Sequence, residues 1–89
     1  MRAVISVLGK DRVGIIAGVS TVLADCNVNI LDLSQTIMQD IFTMVMLVDV
    51  SKATISFADL AERLDGKGKE LGLLVRIQHE EIFNSMHRI

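Results

Sequence analysis

Apolar residues change their spacing several times along this chain, and each change marks an element. From Ala3 to Leu8 the run is apolar at every position but Ser6, which predicts a strand. Ile15, Ile16, Val19, Val22, Leu23 and Cys26 then recur at helical spacing, and Asn27 suits the left-handed position that ends a helix. Val28 to Gln39 predicts a long strand and Ile41 to Val50 another, joined by a tight turn at Gln39-Asp40. Ser56-Phe57-Ala58-Asp59 has the form of a capping box, with Asp in place of Glu. Behind it, Phe57, Leu60, Ala61, Leu64 and Leu71 mark the stripe of a second helix. Gly66 and Gly68 each weaken its later part by about 1 kcal/mol relative to alanine, so it is expected to fray or bend there. Leu73 to His79 is the last strand, with Leu73, Val75 and Ile77 on one face and Arg76 and Gln78 on the other. Ile82, Phe83, Met86 and Ile89 suggest a short terminal helix.

The order is βαββαβ, which predicts an α+β, ferredoxin-like fold: a four-stranded antiparallel sheet with two helices on one face. Right-handed crossovers make the first and third strands central. Ile41 to Val50 fits a central position, being apolar almost throughout, whereas the outer strands carry Asp32, Ser34, Gln35 and Thr36 on one side and Arg76 and Gln78 on the other. If Ala3, Ile5 and Val7 lie under the helices with Phe42, Met44, Met46 and Val48, the open face shows Val4, Leu8, Ile41, Val45 and Leu47. A patch of that kind marks an interaction surface.

Composition sharpens this picture. Eighty-nine residues without a linker, a proline or a low-complexity tract predict one domain over residues 1–89. At 51% hydrophobic residues the chain has more apolar surface than a small domain needs, and the expected outlet is a homodimer. Nine basic and eleven acidic residues give a net charge of −2, which implies no nucleic-acid partner. The longest uncharged apolar stretch, Ile41 to Val48, is too short to span a bilayer, and the apolar region after Met1-Arg2 is too short for a signal peptide. A single cysteine excludes an internal disulfide, and a cytoplasmic location is expected.

The candidate chemistry lies between the first strand and the first helix, in Gly9-Lys10-Asp11-Arg12-Val13-Gly14-Ile15. The start of a helix leaves backbone N–H groups unpartnered, and these take a carboxylate well. Asp11 can hold an ammonium group beside them, so the turn can bind both charged ends of an amino acid. The local alternative is that Gly9 and Gly14 shape the turn while Asp11 caps the helix. Lys10 and Arg12 are expected to be solvated. Asn29 offers one acceptor and two donors, either to a ligand or to nearby backbone. Other chemistries lack their residues. Base stacking needs sheet aromatics, and only Phe42 lies on a predicted strand. Soft-metal carriage needs paired thiolates, whereas Cys26 is alone and ends an apolar stripe, which predicts a buried structural role. His79, Glu80, Glu81 and His87 have no metal-ligand spacing and read as a solvated face. No catalytic residue, metal or cofactor is expected.

The Gly9 to Ile15 turn, the helix through Asp25 and Asn27-Val28-Asn29-Ile30 resemble an ACT domain, an amino-acid-sensing regulatory module. The G-x-D-[RK]-x-G-I form of the turn is similar to that in formyltetrahydrofolate deformylases and glycine-cleavage repressor-like proteins. Asp32-Leu33-Ser34-Gln35-Thr36, the hairpin and Ile82-Phe83-Asn84-Ser85-Met86 further resemble the stand-alone ACT proteins of the UPF0237 family. The resemblance implies an effector, most simply an amino acid, between the turn of one subunit and neighbouring elements of a second. Gly9, Asp11, Gly14 and Ile15 would then be turn contacts, with Asn29 and Ile30 near the pocket. No attached enzyme follows, so a regulated activity is expected to belong to a separate protein. The competing expectation is a ligand-free dimeric interaction module, and an enzyme comes third.

Overall fold

The computed structural model describes residues 1–86, so Ile89 of the expected terminal stripe and His87 lie outside the described residues. The elements run β1 (Arg2–Lys10), α1 (Ile15–Asp25), β2 (Asn29–Met38), β3 (Ile41–Asp49), α2 (Phe57–Leu71), β4 (Leu73–His79) and α3 (Glu80–Met86). The four strands form one antiparallel sheet in the order β2-β3-β1-β4. This is the ferredoxin-like arrangement, with β1 and β3 central.

The local signals act where the sequence put them. Asn27 takes φ 58° and ends α1, and its Nδ2 donates to Lys52 O at 2.9 Å. Gln39 takes φ 57° in the tight turn between β2 and β3. Ser56 Oγ accepts the Asp59 N–H at 3.1 Å, but among the described residues the carboxylate of Asp59 makes no return bond, so the box is half made. One expectation is corrected here. Helix α2 runs unbroken through Gly66 and Gly68 to Leu71 and stops at Gly72, where φ is 73°. Packing overrides propensity, because Gly68 is buried against β4.

The core lies between the sheet and the helices. Ala3, Ile5, Val7, Phe42, Met44, Met46 and Val48 point into it, as expected, and meet Ile15, Val19 and Leu23 of α1 and Leu60 and Leu64 of α2. Cys26 is fully buried in the same cluster. The opposite face is less open than expected. Leu8, Ile41 and Val45 are exposed, but Leu47 is half-buried and Val4 is only 6% exposed. Helix α3 packs back against β1 and β4, anchored by Arg2 Nη2 to Glu80 Oε2 at 2.7 Å, and Val4 lies on β1 beside Gln78 of β4.

Strand β2 differs from the other three, because all ten of its residues are exposed. The buried core joins β1 and β3 to the helices and takes in no residue of β2. A register shift between Ile30 and Asp32 leaves Leu31 as a bulge. Beyond it, Asp32 to Met38 pair regularly with Leu47 to Ile41.

Candidate functional site

Two of the candidate residues have structural duties that follow from their neighbours. A Cβ on Gly9 would lie 2.6 Å from Leu73 Cδ2 and 3.3 Å from Gly72 O, so Gly9 lets β1 pass close to the start of β4. The side chain of Ile15 is 2% exposed and anchors α1 in the core, so only its backbone can face a ligand. Gly14 sits at the helix start with φ 93°, a conformation that costs an L side chain about 1–2 kcal/mol.

The first turn of α1 has no side-chain cap and no acidic residue. Asp11 therefore does not cap the helix, which removes the local explanation for its presence. Its backbone N–H donates to Asp40 O at 2.7 Å and pins the turn to the β2–β3 hairpin. Its carboxylate is exposed and has no partner among the described residues. Arg12 departs from the expected solvated state. Its Nη1 donates to Leu71 O at 3.1 Å, at the end of α2, where terminal carbonyls lack helical partners. The turn is thus tied on two sides, to the hairpin and to α2, with the Asp11 carboxylate used in neither tie. Val13 is 97% exposed and Ile16 of the first turn 39%, so apolar side chains flank the uncapped helix start.

Asn29 and Ile30 lie elsewhere. Asn29 begins β2 opposite Asp49, whereas the Asp11 turn touches the hairpin at the other end of that strand. The two parts are separated by the length of β2, roughly 30 Å at about 3.3 Å per residue. Within one chain they do not meet. Asn29 instead borders an open groove of about 360 Å³ lined by Ala24, Asn27, Val28, Asp49, Ser51 and Lys52. In this groove the Ser51 N–H donates to Asp49 Oδ1 at 2.9 Å. That bond, the Ser51 side chain and the chain's amino terminus at 3.6 Å hold the Asp49 carboxyl below its ordinary range. The sequence reading named Asp40 only as a turn residue and missed Asp49 and Lys52. Counting outward from the Gln39-Asp40 turn would have found Asp49, since antiparallel pairing puts the start of β2 beside the end of β3.

Among the described residues no three His, Cys, Asp or Glu side chains gather to hold a metal, and no helix is long and apolar enough to cross a membrane. Phe42 is buried under the helices.

Residues 2–78 match the ACT domain family. A UPF0237 protein of Clostridium acetobutylicum is 58% identical over 89 residues, covering all of both chains. A solved ACT domain protein from Streptococcus pneumoniae superposes with a TM-score of 0.81 at 39% identity, covering 98% of each chain. A structure named for a glycine cleavage system transcriptional repressor superposes with a TM-score of 0.71 at 25% identity, over 86% of this chain and 44% of that one. On its fold, its turn and its full-length likeness to a UPF0237 relative, the chain belongs to the ACT domain family.

Proposed function

We propose that this ACT protein senses a free amino acid at an interface between two copies of itself and reports it to a separate protein. The observation that carries the reading is the unpartnered carboxylate of Asp11 beside the uncapped first turn of α1. Backbone donors with the helix dipole behind them suit a carboxylate, and Asp11 suits an ammonium group. Together they match the two charged ends of one amino acid. Asn29 and Ile30 complete such a site only from a second chain, because their own chain holds them a strand's length away. Membership of the ACT family and the likeness to a structure named for a transcriptional repressor support a regulatory, non-catalytic role.

A ligand-free interaction module is the second reading, favoured by the exposed β2 edge. A thermal-shift screen against the twenty amino acids and common nucleotides separates the two. A true ligand at 100 times its Kd adds about 2.7 kcal/mol of stability. Asp11→Asn should then weaken binding on the order of 10- to 100-fold, the equivalent of one charge-assisted hydrogen bond of about 1.5–3 kcal/mol. Melting temperature without ligand should hardly move, because Asp11 caps nothing. Unchanged affinity in calorimetric titration of Asp11→Asn would place the pocket elsewhere. If no amino acid shifts the parent, the ligand-free reading is the better one.

A further inference from the structure

We propose that Arg12 is the positioning residue of the Asp11 turn and that it carries occupancy of the turn to the end of α2. This rests on the reading of the turn as an amino-acid site and adds how that site reports. Residues 11–14 link β1 to α1. Among the described residues, their hydrogen bonds to other elements are Asp11 N–H to Asp40 O at 2.7 Å and Arg12 Nη1 to Leu71 O at 3.1 Å. The Arg12 bond is the one made by a side chain.

The end of α2 is built to receive it. The helix stops at Leu71 because Gly72 takes φ 73°, and the Gly72 N–H turns back to Gly68 O and Lys69 O. Those bonds serve carbonyls further back and leave Leu71 O for a donor from outside the helix. The carbonyl end of a helix is its negative end, so a guanidinium suits it better than a neutral donor does.

The same short junction, residues 71–73, also seats both flanks of the turn. Before the turn, Gly9 lacks the Cβ that would lie 2.6 Å from Leu73 Cδ2. After it, Gly18 of α1 lacks the Cβ that would lie 3.0 Å from Leu71 Cδ1. Two glycines thus let β1 and α1 close on the junction, and Arg12 reaches it from the middle. The flanks are fixed there by packing, which is stiff. The turn itself is held there by one exposed hydrogen bond, the part that a small ligand can strengthen.

An amino acid bound by Asp11 and the first N–H groups of α1 needs residues 11–14 in one conformation. The Arg12 bond favours that conformation in advance and raises the competent fraction. Linkage makes the effect mutual: a ligand that fixes the turn also fixes the Arg12 bond, and with it the last turn of α2. Lys69 and Glu70 at that end are exposed, so the change is open to a separate protein.

Amide hydrogen exchange, followed residue by residue in the whole chain, tests this, with circular dichroism to show that each variant is folded. Without ligand, Arg12→Ala should speed exchange of the Asp11 N–H about 2- to 5-fold, the range for one cation at an exposed helix end. Arg12→Lys keeps the charge and a donor and should restore most of the protection. Each of the twenty amino acids is then added singly, and any that raises the melting temperature is taken forward. In the parent it should slow exchange at Asp11 and at residues 69–72. In Arg12→Ala it should slow exchange at Asp11 alone and bind about 2- to 5-fold more weakly. Asp11 exchange unchanged by Arg12→Ala overturns the positioning role. Slowing at residues 69–72 that survives Arg12→Ala overturns the coupling and leaves the site reading standing. If no amino acid raises the melting temperature, the site reading fails and the coupling with it, while exchange without ligand still decides the positioning role.

Discussion

Asp11 and Gly14 show what single residues disclose in a sequence and what they conceal. An acid between two glycines at a helix start is equally a cap or a ligand group, and only geometry separates the two. Here the helix start has no side-chain cap, and the carboxylate of the acid has no partner among the described residues. The role of Gly14 is conformational, since a Cβ there would meet nothing within 4 Å yet φ is 93°. Gly14→Ala should therefore destabilise the fold by about 1–2 kcal/mol in a urea titration, without any clash to relieve. An unchanged midpoint would show that the turn can adopt another backbone path. Asp49 offers a test by pH. Its folded pKa is depressed, so its contribution is present above the unfolded value and fades as pH falls through the folded one. Asp49→Asn cannot titrate. The parent's advantage in Tm over this variant should be small, as the carboxylate is well exposed, and should shrink below about pH 4. An advantage that persists in strong acid would mean that hydrogen bonding, not charge, carries it.

Elements were the most legible scale, because periodicity reports burial directly. The alternation of β4, the apolar run of β3 and the stripe of α1 each follow from which face meets the core. The error fell where packing and propensity disagree. Gly66 and Gly68 look alike in sequence, but a Cβ on Gly66 meets nothing, while one on Gly68 would lie 2.8 Å from Leu73 O and 2.8 Å from Val75 Cγ2. One glycine is an unfilled helix position and the other lets α2 lie close on β4. Gly66→Ala should stabilise by about 1 kcal/mol, the ordinary gain in helix propensity. Gly68→Ala gains the same propensity but must displace a backbone carbonyl, so a net loss of about 1–3 kcal/mol is expected. Thermal unfolding of the two variants side by side checks the contrast. Equal shifts of the same sign would mean that α2 and β4 can separate without cost. The bulge at Leu31 and the burial of Val4 were not legible, since both depend on contacts between elements rather than on spacing within one.

At the scale of the whole molecule, the excess of apolar residues announces a partner but not which surface meets it. Two surfaces compete. The open sheet face carries exposed Leu8, Ile41, Val45 and Leu74, and the β2 edge carries exposed Leu33 and Ile37 with unpaired backbone beside them. The face is already narrowed on one side by the burial of Val4. The candidate site was legible as two sets of residues but not as one place, because its unity would come from symmetry, which no single chain displays. A pair of charged variants decides between the surfaces. Val45→Lys places a lysine on the open face opposite Ser6 and Ser34, where an edge-joined dimer leaves it in water. Its sedimentation should match the parent's. Ile37→Lys places the same charge on the β2 edge and should shift the chain towards monomer at micromolar concentration if that edge joins the copies. Burying an unpaired ammonium at such a contact costs several kcal/mol, more than a small interface can absorb. The reverse result, with Val45→Lys dissociated and Ile37→Lys intact, would make the sheet face the interface and would leave the β2 edge free for a different protein.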